Sequence, residues 1–199
     1  MKVQDAVSIA TKEIGTCEHP ANSNNVKYNT WYYGKEVSGA QYPWCAVFIS
    51  WVFKDNPTLC KRTASCADML EWFERNGQLV KRPQIGDIVF FKYSTNNRRT
   101  NHVGLVIGVS GNTITTVEGN TSQTSQDNGG KVMKRVRKTS IVAYARPKYE
   151  SQELKPLSEV ALEVINGEWG NGNDRRQRLT RAGYDFNKVQ AEVNRLLST

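Results

Sequence analysis

The sequence predicts an α+β domain followed by a small three-helix bundle, and three observations carry that expectation. Helical patterns occupy residues 1–76, strand patterns occupy residues 86–145, and helical patterning returns from Leu157 to the end. Helices first and strands afterwards is the order of an α+β domain, in which helices pack on an antiparallel sheet instead of alternating with its strands. The expected boundaries are a first domain over residues 1–146, a polar, Pro-bounded linker over 147–156 and a three-helix module over 157–199.

Each element has its own signal. Met1 to Glu13 sets Val3, Val7 and Ala10 on one side and reads as an amphipathic helix. Gly15 to Asn25 is a loop by its Pro and Asn content, and the aromatic residues Tyr28, Trp31, Tyr32 and Tyr33 follow. The run from Ala46 to Phe53 is apolar almost all round, so as a helix it must be buried on most sides. A further helix spans Cys66 to Arg75 and closes at Asn76-Gly77. Gly86–Tyr93, His102–Val109, Asn112–Glu118 and Ile141–Ala145 read as strands separated by polar and Gly-rich turns. Beyond the linker, Ser158 is a candidate N-cap for a helix whose apolar stripe is Val160, Ala161, Val164 and Ile165. A second helix starts at Asn173 or Asp174 and stops at Ala182-Gly183. A third carries Val189, Val193, Leu196 and Leu197.

The apolar content, 38% of 199 residues, is enough to bury a core and excludes a wholly disordered chain. The net charge of +8 is placed unevenly. Of 27 basic and 19 acidic residues, residues 156–199 hold six of each, so the rest of the chain carries the whole excess. A basic body favours anionic partners. No recognition-helix pattern, aromatic RNA-binding signature or zinc-finger spacing supports nucleic acid as that partner. No apolar run is long enough to span a membrane, and the N-terminus lacks the apolar stretch of a secretory signal. Synthesis in the cytosol is expected, with Cys17, Cys45, Cys60 and Cys66 reduced. Cysteine and histidine spacing matches no zinc site. Asn22-Ser-Asn-Asn offers only neutral oxygens, so no metal and no cofactor is expected. Cys60 and Cys66 are close enough in sequence to approach one another and read as structural or incidental.

The chemistry centres on Cys45, at the start of the apolar helix. A helix N-terminus presents unpaired N–H groups and a partial positive charge, and both favour the thiolate, which is the nucleophilic form. His102 opens one strand, Glu118 closes the next, and Asn120 lies two residues beyond. A Cys/His pair needs a third polar group to fix the imidazole tautomer, and a neighbouring strand end can supply it. Each residue alone has a plainer reading: a small core hydrophobe, a strand-end histidine, a solvated carboxylate. The order and spacing of the set argue against all three.

Pro43-Trp44-Cys45-Ala46-Val47-Phe48, Gly86-Asp87-Ile88-Val89-Phe90-Phe91, Asn101-His102-Val103-Gly104-Leu105-Val106 and Val117-Glu118-Gly119-Asn120-Thr121 closely resemble the CHAP family of cysteine, histidine-dependent amidohydrolases/peptidases. The resemblance covers about residues 1–146 and implies a papain-like cysteine peptidase fold. It implies Cys45 as nucleophile, His102 as general base and acid, and Glu118 and Asn120 as orienting groups. The implied substrate is an amide bond of peptidoglycan, cut as by an N-acetylmuramoyl-L-alanine amidase or a D-Ala-type endopeptidase. The oxyanion would be met by the Cys45 N–H and a second donor from Gln41 or Tyr42. Tyr42, Trp44 and Trp31 are open between two roles, groove walls and core packing.

Gly170-Asn-Gly-Asn-Asp-Arg-Arg-Gln-Arg-Leu-Thr-Arg-Ala-Gly-Tyr-Asp-Phe-Asn resembles the three-helix peptidoglycan-binding repeat of a choline-independent pneumococcal phage lysozyme. That resemblance makes Asp174, Arg175 and Arg178 candidate wall-binding residues, because guanidinium groups grip carboxylates in a bidentate way. Together the two resemblances imply a phage endolysin that reaches the wall after a membrane pore releases it, with neither nucleic acid nor membrane as partner. A single copy of the repeat lacks avidity, which leaves oligomerisation through the module as an option. A catalytically inactive or weak wall-binding protein and a host autolysin are the alternatives.

Overall fold

A computed structural model describes residues 1–95, 98–150 and 154–198. The chain divides into two compact units, Met1–Glu150 and Ser151–Thr199. Of the expected linker, residues 151–153 lie outside the described residues, as does Thr199 at the end of the expected module.

The first unit runs α1 (Val3–Lys12), α2 (Lys27–Tyr33), α3 (Cys45–Val52) and α4 (Cys66–Arg75). Six strands follow: β1 (Leu79–Val80), β2 (Ile88–Phe91), β3 (His102–Ser110), β4 (Thr113–Thr121), β5 (Lys131–Arg137) and β6 (Ile141–Ala145). They form one antiparallel sheet in the order β1-β6-β2-β3-β4-β5. The architecture is α+β. α3 packs against β3 and β4 and buries seven of its eight residues, as its all-round apolar sequence requires. Phe48 and Ile49 are fully buried, each contributing about 1.5–3 kcal/mol by leaving water. β4 comes unusually near this helix at Gly119, where a Cβ would lie 2.6 Å from Phe48 Cβ and 2.8 Å from the Trp44 ring, so no larger residue fits.

The sheet has two faces because side chains alternate along a strand. Ile88, Phe90, Val103, Leu105 and Val117 join α3 in the main core. Val89, Phe91, Val106 and Ile114 form a smaller cluster on the opposite face. His102, Gly104, Thr116 and Glu118 share the parity of that second face.

Three elements lie outside the sequence reading. α2 gathers the aromatic residues 28–33 on a helix, and β1 is a two-residue edge strand. β5 is the other edge. Its basic residues mark it as a guarded edge, where charge discourages pairing with another chain.

The second unit consists of α5 (Leu157–Ile165), α6 (Gly172–Arg181) and α7 (Phe186–Leu197) around Val160, Ala161, Val164, Leu179, Tyr184, Val189 and Val193. Asp185 caps α7, its carboxylate accepting from the N–H groups of Asn187 and Lys188 at 2.8 and 3.1 Å. Details differ from expectation. Pro156, not Ser158, holds the N-cap position of α5, and α6 begins at Gly172. Ile165 and Leu197 are 39% and 68% exposed, since each follows a stripe residue directly and is turned about 100° away from it. Among the described residues no helix is long and apolar enough to cross a membrane.

Candidate active site

Cys45 is the first residue of α3, so its N–H has no carbonyl partner within the helix. Two buried side chains from earlier in the chain hold the segment that delivers it. Trp44 is fully buried, donates its indole N–H to Glu18 Oε1 at 2.7 Å and stacks on Tyr28. Asn29 donates to the carbonyls of Asn24 and Tyr42 at 2.8 and 2.9 Å. The Cys45 thiol reaches the start of β3, where its Sγ lies 4.0 Å from the Asn101 carbonyl and beside the His102 ring.

His102 and Glu118 are both fully buried. The imidazole Nε2 donates to Glu118 Oε2 at 2.9 Å, which leaves Nδ1 as the nitrogen able to act on Cys45. Nδ1 itself has no hydrogen-bond partner among the described residues. Glu118 in turn is held by three groups: His102, the Thr116 hydroxyl at 2.5 Å from Oε1, and Arg137. The Arg137 Nε lies 2.8 Å from Oε1, and its Nη2 pairs with Oε2. Arg137 lies over the rings of Phe91 and Tyr93.

Glu118 reaches the imidazole by lying across Gly104, where a Cβ would sit 2.6 Å from Glu118 Cγ. Gly104→Ala is therefore expected to push the carboxylate off the ring and lower turnover about 10²-fold, the scale of a ~1 Å misplacement at a reacting group. Steady-state kinetics beside a circular dichroism spectrum measure it. Parental turnover would mean that Glu118 can yield without cost.

Contacts set the charge state. Cys66 lies 3.4 Å from Cys45, sulfur to sulfur, and its hydrogen bond is the strongest influence lowering the Cys45 pKa. Burial opposes it. His102 and the Ala46 N–H reinforce it, and the thiol is held at about 5. Cys66 is driven the other way, well above the ordinary thiol range, by that hydrogen bond, by burial and by the charges of Cys45 and Asp127. Burial alone would push His102 down, but the hydrogen bonds and charges of Cys45 and Glu118 outweigh it and raise the imidazole to about 9. Burial would likewise raise Glu118, yet Arg137 and His102 hold it at about 2. The resting site is thus a thiolate–imidazolium pair backed by a carboxylate and a guanidinium.

The structure brings Cys45, His102 and Glu118 together and treats the other expected site residues differently. Asn120 is fully buried with a positive φ of 56°, and neither atom of its amide has a hydrogen-bond partner among the described residues. No hydrogen bond joins it to the imidazole, whose Nε2 is taken by Glu118. The Tyr42 N–H is spent on the Gly39 carbonyl at 3.1 Å, which removes it as an oxyanion donor. Gln41 is exposed, with its side chain folded over Gly39. Trp44 is a core residue and walls no groove, while Trp31 is half-buried beside Arg62. Cys66 faces Cys45 instead of Cys60, and Cys60 donates to the Lys61 carbonyl.

In the second unit Asp174 and Arg178 pair across one helical turn at 2.8 Å, both about half exposed. Arg175 donates to the Gly170 carbonyl at 3.0 Å and to Asn171 Oδ1 at 2.9 Å, tying the α5–α6 loop to α6.

Thr116, Arg137, Cys66 and Asn29 are site residues that sequence reasoning missed. Thr116 has the parity of Glu118 and could have been found by alternation. The others meet the site through long-range contacts that no local pattern encodes.

Comparison with known proteins bears on both units. Residues 37–120 match the CHAP domain, and residues 158–197 match the CW_7 repeat. A lysozyme of Streptococcus phage Cp-7 is 54% identical over 43 residues, which are 22% of this chain and 13% of that protein. Among solved structures, Ly7917 is similar with a TM-score of 0.46 and 15% identity, over 74% of this chain and 63% of that one. The wild-type endolysin LysIME-EF1 is similar with a TM-score of 0.49 and 14% identity, over 76% and 66%.

Proposed function

We propose that this protein is a peptidoglycan hydrolase of the endolysin type. In this reading residues 1–146 cut an amide bond of the bacterial wall, residues 147–156 link, and residues 157–199 hold the wall. The observation that carries the reading is the buried Cys45–His102–Glu118 arrangement, with thiolate and imidazolium already formed, inside the span that matches the CHAP domain. The wall-holding role rests on the CW_7 match.

The reaction is acyl transfer. The Cys45 thiolate attacks the carbonyl carbon, and the developing oxyanion accepts from the Cys45 N–H, with Gln41 as the remaining candidate for a second donor. His102 Nδ1–H protonates the departing amine. The neutral imidazole then takes a proton from water, which attacks the thioester and releases the acid. Glu118 keeps Nε2 protonated so that Nδ1 does this work. Mass spectrometry of digested walls tests the function and separates its two forms. A free muramic lactyl group beside an intact stem peptide marks an N-acetylmuramoyl-L-alanine amidase, and cleaved stems or cross-bridges mark an endopeptidase. Unchanged walls would overturn the hydrolase reading.

The charge pair implies a bell-shaped pH profile. kcat/KM on soluble muropeptides is expected to rise as Cys45 loses its proton, near about 5, and to fall as His102 loses its own, near about 9. These limbs belong to the pair as a unit. A rise confined to the ordinary cysteine range, about 8.5, would show that the thiol is not held ionised.

The module has its own test. Removing residues 151–199 is expected to leave cleavage of soluble fragments intact while lysis of whole cells falls, most clearly at high salt. Attraction through surface charge is screened over about 8 Å at physiological ionic strength. Asp174, Arg175 and Arg178 are the proposed contacts. Arg178→Ala is the cleanest probe, because Arg175 also ties a loop. It should weaken wall binding roughly tenfold, the worth of one charge-assisted contact. Pull-down with purified walls at two salt concentrations reads both effects, and parental binding would remove Arg178 from the surface.

A further inference from the structure

The acyl-transfer chemistry uses one thiol, yet the fold sets a second beside it. Cys45 opens α3 and Cys66 opens α4. Their Sγ atoms are 3.4 Å apart, and both thiols are free. A disulfide requires about 2.05 Å, so the sulfurs have about 1.4 Å to close. The other two cysteines are engaged elsewhere: Cys60 with the Lys61 carbonyl and Cys17 with the Gly15 carbonyl. Cys45 is 4% exposed and Cys66 7%, an opening that suits a small oxidant better than a protein thiol.

We propose that a hydroperoxide converts Cys45 and Cys66 into a reversible disulfide, making Cys66 the resolving thiol of a modification site centred on the nucleophile. The loss of activity it entails rests on the hydrolase reading of Cys45; the bond itself does not. In the first step the Cys45 thiolate attacks one peroxide oxygen. The O–O bond breaks, hydroxide or alkoxide leaves, and Cys45 becomes a sulfenic acid, having lost two electrons to the peroxide. In the second, the Cys66 sulfur attacks the sulfenic sulfur. The S–O bond breaks, the S–S bond forms, and the Cys66 proton leaves with the hydroxyl as water.

The order of events favours the second step. Part of what keeps Cys66 protonated is the neighbouring Cys45 thiolate. Oxidation turns that anion into a neutral sulfenic acid. Cys66 then feels the positive end of α4, which favours its own thiolate. The nucleophile is thereby captured in a form that thiols can reduce, before further peroxide drives it to the irreversible sulfinic acid.

The test uses the full reduced chain, hydrogen peroxide as oxidant and dimedone to trap sulfenic acid, with Cys66→Ser and Cys66→Ala as controls. In the parent, peptide mass spectrometry should find Cys45 joined to Cys66, lysis should fall to background, and dithiothreitol should restore it. In both variants dimedone should label Cys45, sulfinic acid should accumulate there, and dithiothreitol should recover little activity. Dimedone labelling of parental Cys45 as fast as in the variants would overturn the proposal, as would parental disulfides that pair other cysteines. A Cys45–Cys66 bond that leaves lysis unchanged would uphold the modification and overturn Cys45 as the nucleophile.

Discussion

Cys45→Ala is expected to fold as the parent does and to lose turnover by on the order of 10⁶-fold, the scale seen when the nucleophile of an acyl-transfer triad is removed. The structural cost is small. The side chain loses one sulfur atom at the rim of the main core, and the Cys66 thiol loses its partner, together about 1 kcal/mol. The chemical cost is total, because His102 and Glu118 can orient and move a proton but cannot form the acyl bond. Clearing of a wall suspension and a thermal melt separate the two effects. A parental melt with no clearing is the expected pair of results. Clearing within tenfold of the parent would end the case for thiol chemistry.

The second large effect concerns stability. Arg137→Met is expected to cost about 3 kcal/mol, because it leaves the fully buried Glu118 carboxylate without its guanidinium. For a unit of about 150 residues that is roughly a 10 °C fall in Tm. Methionine keeps an apolar stem against Phe91 and Tyr93, so the loss reports charge more than packing. Adding Glu118→Gln to Arg137→Met should recover part of the loss, since the double variant buries no unpaired anion. Melting of the parent, both single variants and the double variant measures the coupling. A fall of only a degree or two in Arg137→Met would show that His102 and Thr116 suffice to hold the carboxylate.

The parts of this fold that were legible in the sequence are those with strong local patterns. α3 was plain because it is apolar on every side, and β2, β3, β4 and β6 because β-branched and aromatic residues recur between turn signals. β5 was hidden because four of its seven residues are Lys or Arg, a composition set by its place at the sheet edge and not by strand propensity. Losing that strand also lost Arg137, its last residue. In the site, Cys45 and His102 were legible because each opens an element that the pattern already bounded, and Glu118 because it lies on the strand that follows, three residues before that strand ends. Asn120 has a backbone that local pattern could not foresee: β4 runs on to Thr121 with an irregularity after Glu118, and residue 120 takes a left-handed conformation. Cys66 was placed correctly at the start of its helix, but only the packed fold reveals that a second helix start lies against it.

The four charged groups of the site succeed one another by contact: thiolate, imidazolium, carboxylate, guanidinium. Opposite signs in alternation sum to zero, so the row carries no net charge and acts on a distant ion more weakly than a lone charge would. On the hydrolase reading, the steady attraction for a distant anionic polymer comes mainly from the excess of lysines and arginines over acidic residues outside the row. Recruitment and bond breaking then rest largely on different sets of charges. The outer charge is free to drift, or to be redesigned for a wall of different composition, without retuning the proton positions on which the chemistry depends.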